Sequence, residues 1–242
     1  MIVAIVQARL SSTRLPGKVM APLLGEPMIV RQLERVRRAR TLTKVVVATS
    51  TAVSDDPLAA MLEARGWPVF RGDLHDVLGR FLGAAESAGD DVSHAVRLTA
   101  DCPLIDPELI DEAVRLARAS GAAYTGNAER RTYPDGLDVE VIRMDALREV
   151  AAEATDPTDR EHVTPFLRRQ PARFTAAHLT QPKDEAEMRW TVDECADFAF
   201  VRGVYEALYP SNPEFTTRDI HDLLESRPDL AAHGGLPVRR AA

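Results

Sequence analysis

The chain opens on six consecutive apolar residues, Met1 to Val6, and then changes character. Gln7-Ala8-Arg9-Leu10-Ser11-Ser12-Thr13-Arg14-Leu15-Pro16-Gly17-Lys18 is polar, basic and punctuated by Pro and Gly. Six apolar residues are too few for a signal-peptide core and far too few to span a bilayer, so the run fits a strand buried on both faces. The loop after it spaces Arg9, Arg14 and Lys18 among hydroxyls and a glycine with an unhindered N–H, the ingredients of a phosphate cradle. It is not a Walker A loop, because the first Gly is missing and Val19 follows Lys18. There is no G-x-G-x-x-G of the dinucleotide type either.

The same alternation continues through the first half. Helical spacing over Met28 to Ala39 is followed by an apolar run at Lys44 to Thr49. Ser54-Asp55-Asp56-Pro57 supplies caps for a helix through Glu63, Gly66 ends it, and Pro68 to Gly72 reads as a third strand. Asp73 to Ala88 is helical in pattern, His94 to Thr99 is a fourth strand, and Pro107 to Ala119 a further helix. Strands alternating with helices across short turns imply a mostly parallel α/β sheet covered on both faces. Ligands on such sheets sit beyond the carboxyl ends of the strands, so the loops after Val6, Thr49, Phe70 and Thr99 should line one crevice.

The second half changes rhythm. Leu137 to Ile142 alternates apolar and polar, which suggests an antiparallel strand with one exposed face. Helices are expected over Met144 to Ala154, Arg160 to Arg169, Asp197 to Leu208 and Thr217 to Leu224, and strands over Phe174 to Leu179 and Met188 to Val192. This half is expected to form a small antiparallel lobe over the crevice. Residues 1–230 read as one domain, and the stretch from Ala231 to Ala242 as a frayed tail.

With 242 residues, 45% of them hydrophobic, the chain can bury a full core. A net charge of −7 argues against a general nucleic-acid or anionic-membrane surface, so a phosphate site must be locally basic on an acidic protein. Two cysteines, Cys102 and Cys195, without a secretory signal, a transmembrane segment or metal-type spacing, point to a reducing cytoplasm.

Two acids stand where chemistry would need them. Asp101 follows the fourth strand and Asp193 follows Arg189-Trp190-Thr191-Val192. A carboxylate at a strand end beside a phosphate loop can hold Mg²⁺, which takes oxygen ligands and keeps substrate phosphates in its shell, although a cap or turn role is the alternative. Tyr133-Pro134-Asp135-Gly136-Leu137-Asp138-Val139-Glu140 combines a turn signal with three carboxylates; it reads either as a turn into an alternating strand whose acidic face is solvated or as an acceptor contact or further metal ligand, with Asp135 and Asp138 its members. Thr158-x-x-Glu161 fits a capping box, leaving His162 as a candidate base or acceptor contact. Thr216 to Asp219 reads as a helix cap alone.

The ordered pattern Ala8-Arg9-x-x-Ser12-x-Arg14-Leu15-Pro16-Gly17-Lys18, continuing to Gly25-x-Pro27-Met28-Ile29, resembles the signature loop of sugar-activating nucleotidyltransferases. It is most similar to the cytidylyltransferases of acidic sugars, and among them to the spore-coat polysaccharide biosynthesis protein F group, with which Ala100-Asp101-Cys102-Pro103 and the Tyr133 to Glu140 segment also agree. The resemblance implies a Rossmann-like nucleotide-diphospho-sugar transferase fold, CTP as donor, Mg²⁺ on Asp101 and Asp193, and a homodimer. It implies catalytic roles for Arg14, Lys18 and Asp101, with Arg9, Arg14 and Lys18 around the triphosphate. It puts Ala4, Gln7 and Ala8 near the base and Ser12 in the nucleotide loop. Arg71 and Arg97 are candidates for base or phosphate, and Tyr133, Asp135, Asp138, Glu161 and His162 for the acceptor. Two other readings stay open, a nucleotide-sugar-dependent glycosyltransferase and a non-catalytic nucleotide-binding protein. The Asp-x-Asp common in glycosyltransferases is missing at Asp101-Cys102-Pro103.

Overall fold

The structure is a computed structural model that describes residues 1–235. The elements in chain order begin with β1 (Ile2–Gln7), a single 3₁₀ turn (Lys18–Met20), the short strands β2 (Pro22–Leu23) and β3 (Glu26–Pro27), and α1 (Met28–Val36). Next come β4 (Lys44–Ser50), α2 (Asp56–Ala64), β5 (Val69–Gly72), α3 (Val77–Glu86), β6 (His94–Thr99) and α4 (Pro107–Ser120). The second half comprises β7 (Tyr124–Gly126), β8 (Glu140–Arg143), α5 (Met144–Glu153), α6 (Pro157–His162), α7 (Pro165–Arg168), β9 (Ala176–His178), α8 (Cys195–Leu208), α9 (Thr217–Ser226) and α10 (Pro228–Gly234).

Among the described residues seven strands form one sheet in the order β5-β4-β1-β6-β8-β7-β9, and β2 and β3 form a separate antiparallel ribbon. β1 pairs in parallel with β4 and β6, and β4 with β5. β8 alone runs against its neighbours, β6 and β7. The architecture is thus the mostly parallel, helix-covered sheet expected from the alternation of elements.

β1 shows why six apolar residues in a row are needed. Ile2, Ala4 and Val6 enter one buried cluster, with Leu33 of α1 and Ile110 of α4, while Val3 and Ile5 enter the other, with Phe81 of α3 and Leu147 of α5. Each large side chain buried in this way contributes about 1.5–3 kcal/mol relative to exposure. α1 is tied down further by buried Arg35, which donates to the carbonyls of Ile105 and Phe215 at 2.8 and 3.0 Å.

Several expectations are corrected. The helix expected from Asp73 starts at Val77, because the Asp73 carboxylate accepts from the N–H groups of His75 and Asp76 and holds 73–76 as a turn, and Asp76 caps the helix by accepting from Gly79 N–H. β8 shows no solvent face: Glu140 is 4% exposed, and its polar character comes from a buried ion pair with Arg97. The helix expected over Arg160 to Arg169 is two helices, broken at Val163, whose φ of +70° costs of order 1–3 kcal/mol for a residue with a Cβ. The strand expected over Met188 to Val192 is absent: the stretch bends at Thr191 and pairs only through an isolated bridge between Asp135 and Arg189. The tail expected from Ala231 is helical through Gly234, because Leu230 is buried and the Trp190 indole donates to the Gly234 carbonyl at 2.7 Å. Residues 236–242 lie outside the described residues.

Candidate active site

The loop after β1 is shaped by its own backbone. Gly17 takes φ +72°, which favours a residue without a Cβ, and its N–H donates to the Leu10 carbonyl at 3.0 Å, so residues 10–17 close on themselves. Buried Asp55 anchors the base of the loop: it accepts from Leu10 N–H at 2.7 Å and from the Ser50 hydroxyl. Asp55 was expected to cap α2; its side chain serves the loop instead.

Closing the loop this way carries Lys18 inward. Its ammonium is almost buried and lies 2.6 Å from the Val192 carbonyl, 3.1 Å from Asp193 Oδ1 and 3.3 Å from Asp101 Oδ2. Arg14 reaches the same Asp193 oxygen at 2.9 Å, and Arg189 donates to the other at 3.1 Å. Burial works against ionisation of Asp193, but Lys18, Arg14 and Arg189 outweigh it and hold the carboxyl below its usual range.

The segment carrying Asp193 is braced from three sides. Gly136 packs its α-carbon against the Trp190–Thr191 backbone so closely that a Cβ would come within 2.5 Å of Thr191 N, while Asp135 N–H donates to the Met188 carbonyl and Trp190 N–H to the Asp135 carbonyl. Val192 N–H donates to the Asp101 carbonyl at 2.8 Å, fixing the two acids relative to one another. Asp197, 2% exposed, accepts from Arg189, from the N–H groups of Asp193 and Glu194, and from His233. These bonds overcome its burial and hold it well below the usual carboxylate range.

A cavity of about 410 Å³ opens at the carboxyl ends of β1 and β6. Gln7, Ala8, Arg9, Ser12, Arg14 and Lys18 line it from the first loop, Arg97 and Asp101 from β6 and its loop, and Glu161, His162 and Asp193 from the second half. A neighbouring cavity of about 470 Å³, between residues 73–77 and α6, shares Arg9, Val77 and Glu161 with it. α6 is seated there because Arg160 grips Asp76, the cap of α3, through both carboxylate oxygens. Asp156, not Thr158, caps α6, which corrects the expected capping box and leaves Glu161 free to face the cavity.

Not all of the sequence candidates gather there. Ala4 is fully buried in the sheet core. Arg71 bonds to Asp56 and to the carbonyls of Ser50 and Ala52, bracing β4 and β5 away from the cavity. Tyr133, Asp135 and Asp138 do not line the cavity; Tyr133 packs against the larger core cluster. Asp135 and Asp138 share Arg131, and Asp135 lies 3.7 Å from Arg189, so they connect to Asp193 by charge. Burial pushes the Asp138 carboxyl up to about 6.

Sequence reasoning missed Arg80, and it read Glu140 only as one of three carboxylates in the Tyr133 to Glu140 segment, not as the buried partner of Arg97. Arg80, 5% exposed, reaches the cavity from the buried side of α3 and donates to the carbonyls of Asp73 and Leu74. An arginine inside an apolar helix face was the available signal. Glu140 holds Arg97, which in turn donates to the Gln7 side-chain oxygen at 2.7 Å. Cys102 is buried, its thiol pushed well up by desolvation and by Asp101, and Cys195 is exposed; both are free thiols. Among the described residues no helix is long and apolar enough to cross a membrane, and no group of three or more His, Cys, Asp or Glu could hold a metal ion.

A cytidylyltransferase family model matches residues 3–207. The spore coat polysaccharide biosynthesis protein SpsF of Bacillus subtilis is 32% identical over 237 residues, covering 95% of this chain and 96% of the relative. The 3-deoxy-manno-octulosonate cytidylyltransferase of Geobacter sulfurreducens is 32% identical over 189 residues, covering 76% and 68%. A solved cytidylyltransferase structure from Leptospira borgpetersenii superposes with a TM-score of 0.90 at 27% identity, covering 99% of both chains. A family model that matches residues 3–207, together with a 32% identical relative that covers 95% of this chain, identifies the protein as a nucleotidyltransferase belonging to the cytidylyltransferase family.

Proposed function

We propose that the enzyme transfers CMP from CTP to a hydroxyl of a sugar or sugar-acid-like acceptor and releases pyrophosphate, with Mg²⁺ as its metal. The acceptor oxygen forms a bond to the α-phosphorus as the bond to the β-phosphate oxygen breaks, and the acceptor proton passes to a base. His162 is the cavity residue suited to take it. Arg9, Arg14 and Lys18 balance the charge that develops on the departing pyrophosphate.

The observation that carries this reading is the placement of Lys18 between Asp101 and Asp193, at 3.3 and 3.1 Å. Two carboxylates near enough to share one ammonium can share one small cation. An all-oxygen pair suits Mg²⁺, which binds through one or two carboxylates and fills its other positions with water and phosphate. Bound to Asp101 and Asp193, the ion would polarise the α-phosphate and neutralise its oxygens.

The test is pyrophosphate release with Mg²⁺, offering CTP, UTP, ATP and GTP in turn against a pool of acidic sugars, amino sugars and phosphorylated or phosphonate acceptors. Release with CTP and one acceptor class is expected. Release with another nucleotide in preference would overturn the base assignment, and no nucleotide binding at all would overturn the reading.

A further inference from the structure

His162, Val163 and Thr164 form an unusually tight turn at the end of α6. Val163 has φ +70° and ψ −52°, and Thr164 N–H donates to the His162 carbonyl at 2.8 Å. This is a γ-turn of the positive-φ form with a β-branched residue at its centre, a conformation that L residues seldom adopt and branched ones least readily. Strain of this kind persists where the surroundings impose it. Val163 is 1% exposed and packed into the cluster that contains Leu167 and Phe174.

Both flanks of the turn lead to the cavity. On one side His162 lines it directly. On the other, the Thr164 hydroxyl donates to Glu140 Oε1 at 3.0 Å, and the Tyr124 hydroxyl donates to the same oxygen at 2.9 Å. The second Glu140 oxygen pairs with Arg97, whose Nε donates to Gln7 Oε1; Arg97 and Gln7 both line the cavity. Glu140 is too buried for water to replace a lost donor, so each bond in this chain matters to the position of the next. Among the described residues no side-chain hydrogen bond joins this network to the Lys18, Arg14, Asp101 and Asp193 group; the two meet through the backbone, where Ala100 N–H donates to the Gln7 carbonyl at 2.9 Å.

We propose that the strained turn at Val163 is a positioning device: it fixes His162 directly, and Arg97 through Thr164 and Glu140, as one prearranged wall against which the acceptor is oriented, so that Arg97 serves the acceptor and not the base or phosphate for which the sequence made it a candidate. Thr164 and Glu140 are positioning residues in this scheme and touch no reacting atom. The inference rests on the reading of the cavity as the site of nucleotidyl transfer.

The experiment compares the wild-type enzyme with Thr164→Val, which keeps the shape and removes the hydroxyl, and Thr164→Ser, which keeps the hydroxyl. CTP binding is measured by calorimetry, and pyrophosphate release with CTP and the acceptor pool described above. Thr164→Val is expected to bind CTP within twofold of wild type while kcat/KM for the acceptor falls about tenfold, the scale of a small misplacement of a reacting group, and Thr164→Ser is expected to restore it. Wild-type kcat/KM in Thr164→Val, or an equal loss in Thr164→Ser, would overturn the positioning role. A loss that tracks weakened CTP binding would also overturn it. Should Thr164→Val not fold, Glu140→Gln reads the same chain through Arg97, with the same expected split between CTP binding and acceptor turnover. A wild-type enzyme silent toward every nucleotide and acceptor would instead overturn the nucleotidyl-transfer reading.

Discussion

Lys18 Nζ lies 2.6 Å from the Val192 carbonyl, a hydrogen bond between residues 174 positions apart. It joins the first loop to the segment that ends in Asp193, and the same ammonium reaches Asp101, so that the loop and both acids meet at one point. Lys18→Ala should lower turnover by roughly 10²-fold or more at saturating nucleotide, the scale of losing one transition-state charge contact. Steady-state pyrophosphate release checks this, and near-normal turnover would remove Lys18 from the mechanism.

Asp101 and Asp193 are expected to be the ion's only protein ligands. Chelation should therefore abolish pyrophosphate release, and Mg²⁺ should restore it. Asp101→Asn and Asp193→Asn should each raise the Mg²⁺ concentration needed for half-maximal rate by at least about tenfold, because Mg²⁺ relies on charged oxygen donors. A metal titration of each variant decides the matter, and unchanged metal dependence in both would exclude the pair.

The Asp138 carboxyl, pushed up to about 6 by burial, gives a stability prediction whose sign is opposite to that of a salt-bridged acid. Its folded value lies above its unfolded one, so the folded state binds the extra proton. The cost of ionising it is present at pH 7 and disappears as pH falls through about 6 toward the unfolded value. Asp138→Asn should therefore stabilise the protein at pH 7 by on the order of 1 kcal/mol, after allowing for the water that reaches its exposed part, and by little at pH 4. Thermal melts at the two pH values test this.

Asp197 behaves in the reverse way. Its depressed carboxyl contributes stability that is present above the usual carboxylate range and is lost only in strong acid. Asp197→Ala leaves Arg189 and two backbone N–H groups short of an acceptor. It should cost about 1–3 kcal/mol at pH 7, the scale of leaving buried donors unsatisfied, since Arg189 is partly exposed and keeps its contact with Asp193. Denaturant unfolding would show it, together with weakened activity through the loosened Asp193 segment.

The two cysteines should differ in reactivity. Cys195 is exposed, whereas Cys102 is buried with its thiol pushed well up. A thiol reagent should modify one thiol rapidly in the native protein and both after denaturation.

Much of this architecture was legible in the chain, for reasons that can be named. Parallel strands buried on both faces leave continuous apolar runs, so β1, β4 and β6 were readable, as was the capping box at Thr216 and Asp219. The phosphate loop was readable because its residue types are unlike those of a core. β7 was not, since Tyr124-Thr125-Gly126 is only three residues long and buried by its neighbours. The break at Val163 was hidden because a branched residue argues against positive φ. In the candidate site, Lys18 could be named from the basic loop and Asp101 and Asp193 from the family resemblance, but Arg80 could not, and the pairing of Glu140 with Arg97 could not, because a buried charge is recognised only once its partner is known. Arg71 failed for the opposite reason: an arginine after a strand is as well used bracing carbonyls as binding phosphate.

The place of β1 at the middle of the sheet bears on how the enzyme is made. During synthesis β1 can take β4 on one edge early, but its other edge waits for β6, whose partner residues lie about 90 positions later. The cavity floor waits longer still, for Asp193. A chain arrested halfway through synthesis would hold a hydrophobic half-sheet with an open edge and only part of a nucleotide site. Long loop closures of this kind slow folding and expose strand edges to aggregation. Substrate binding can therefore assist folding only once the chain through Asp193 is in place.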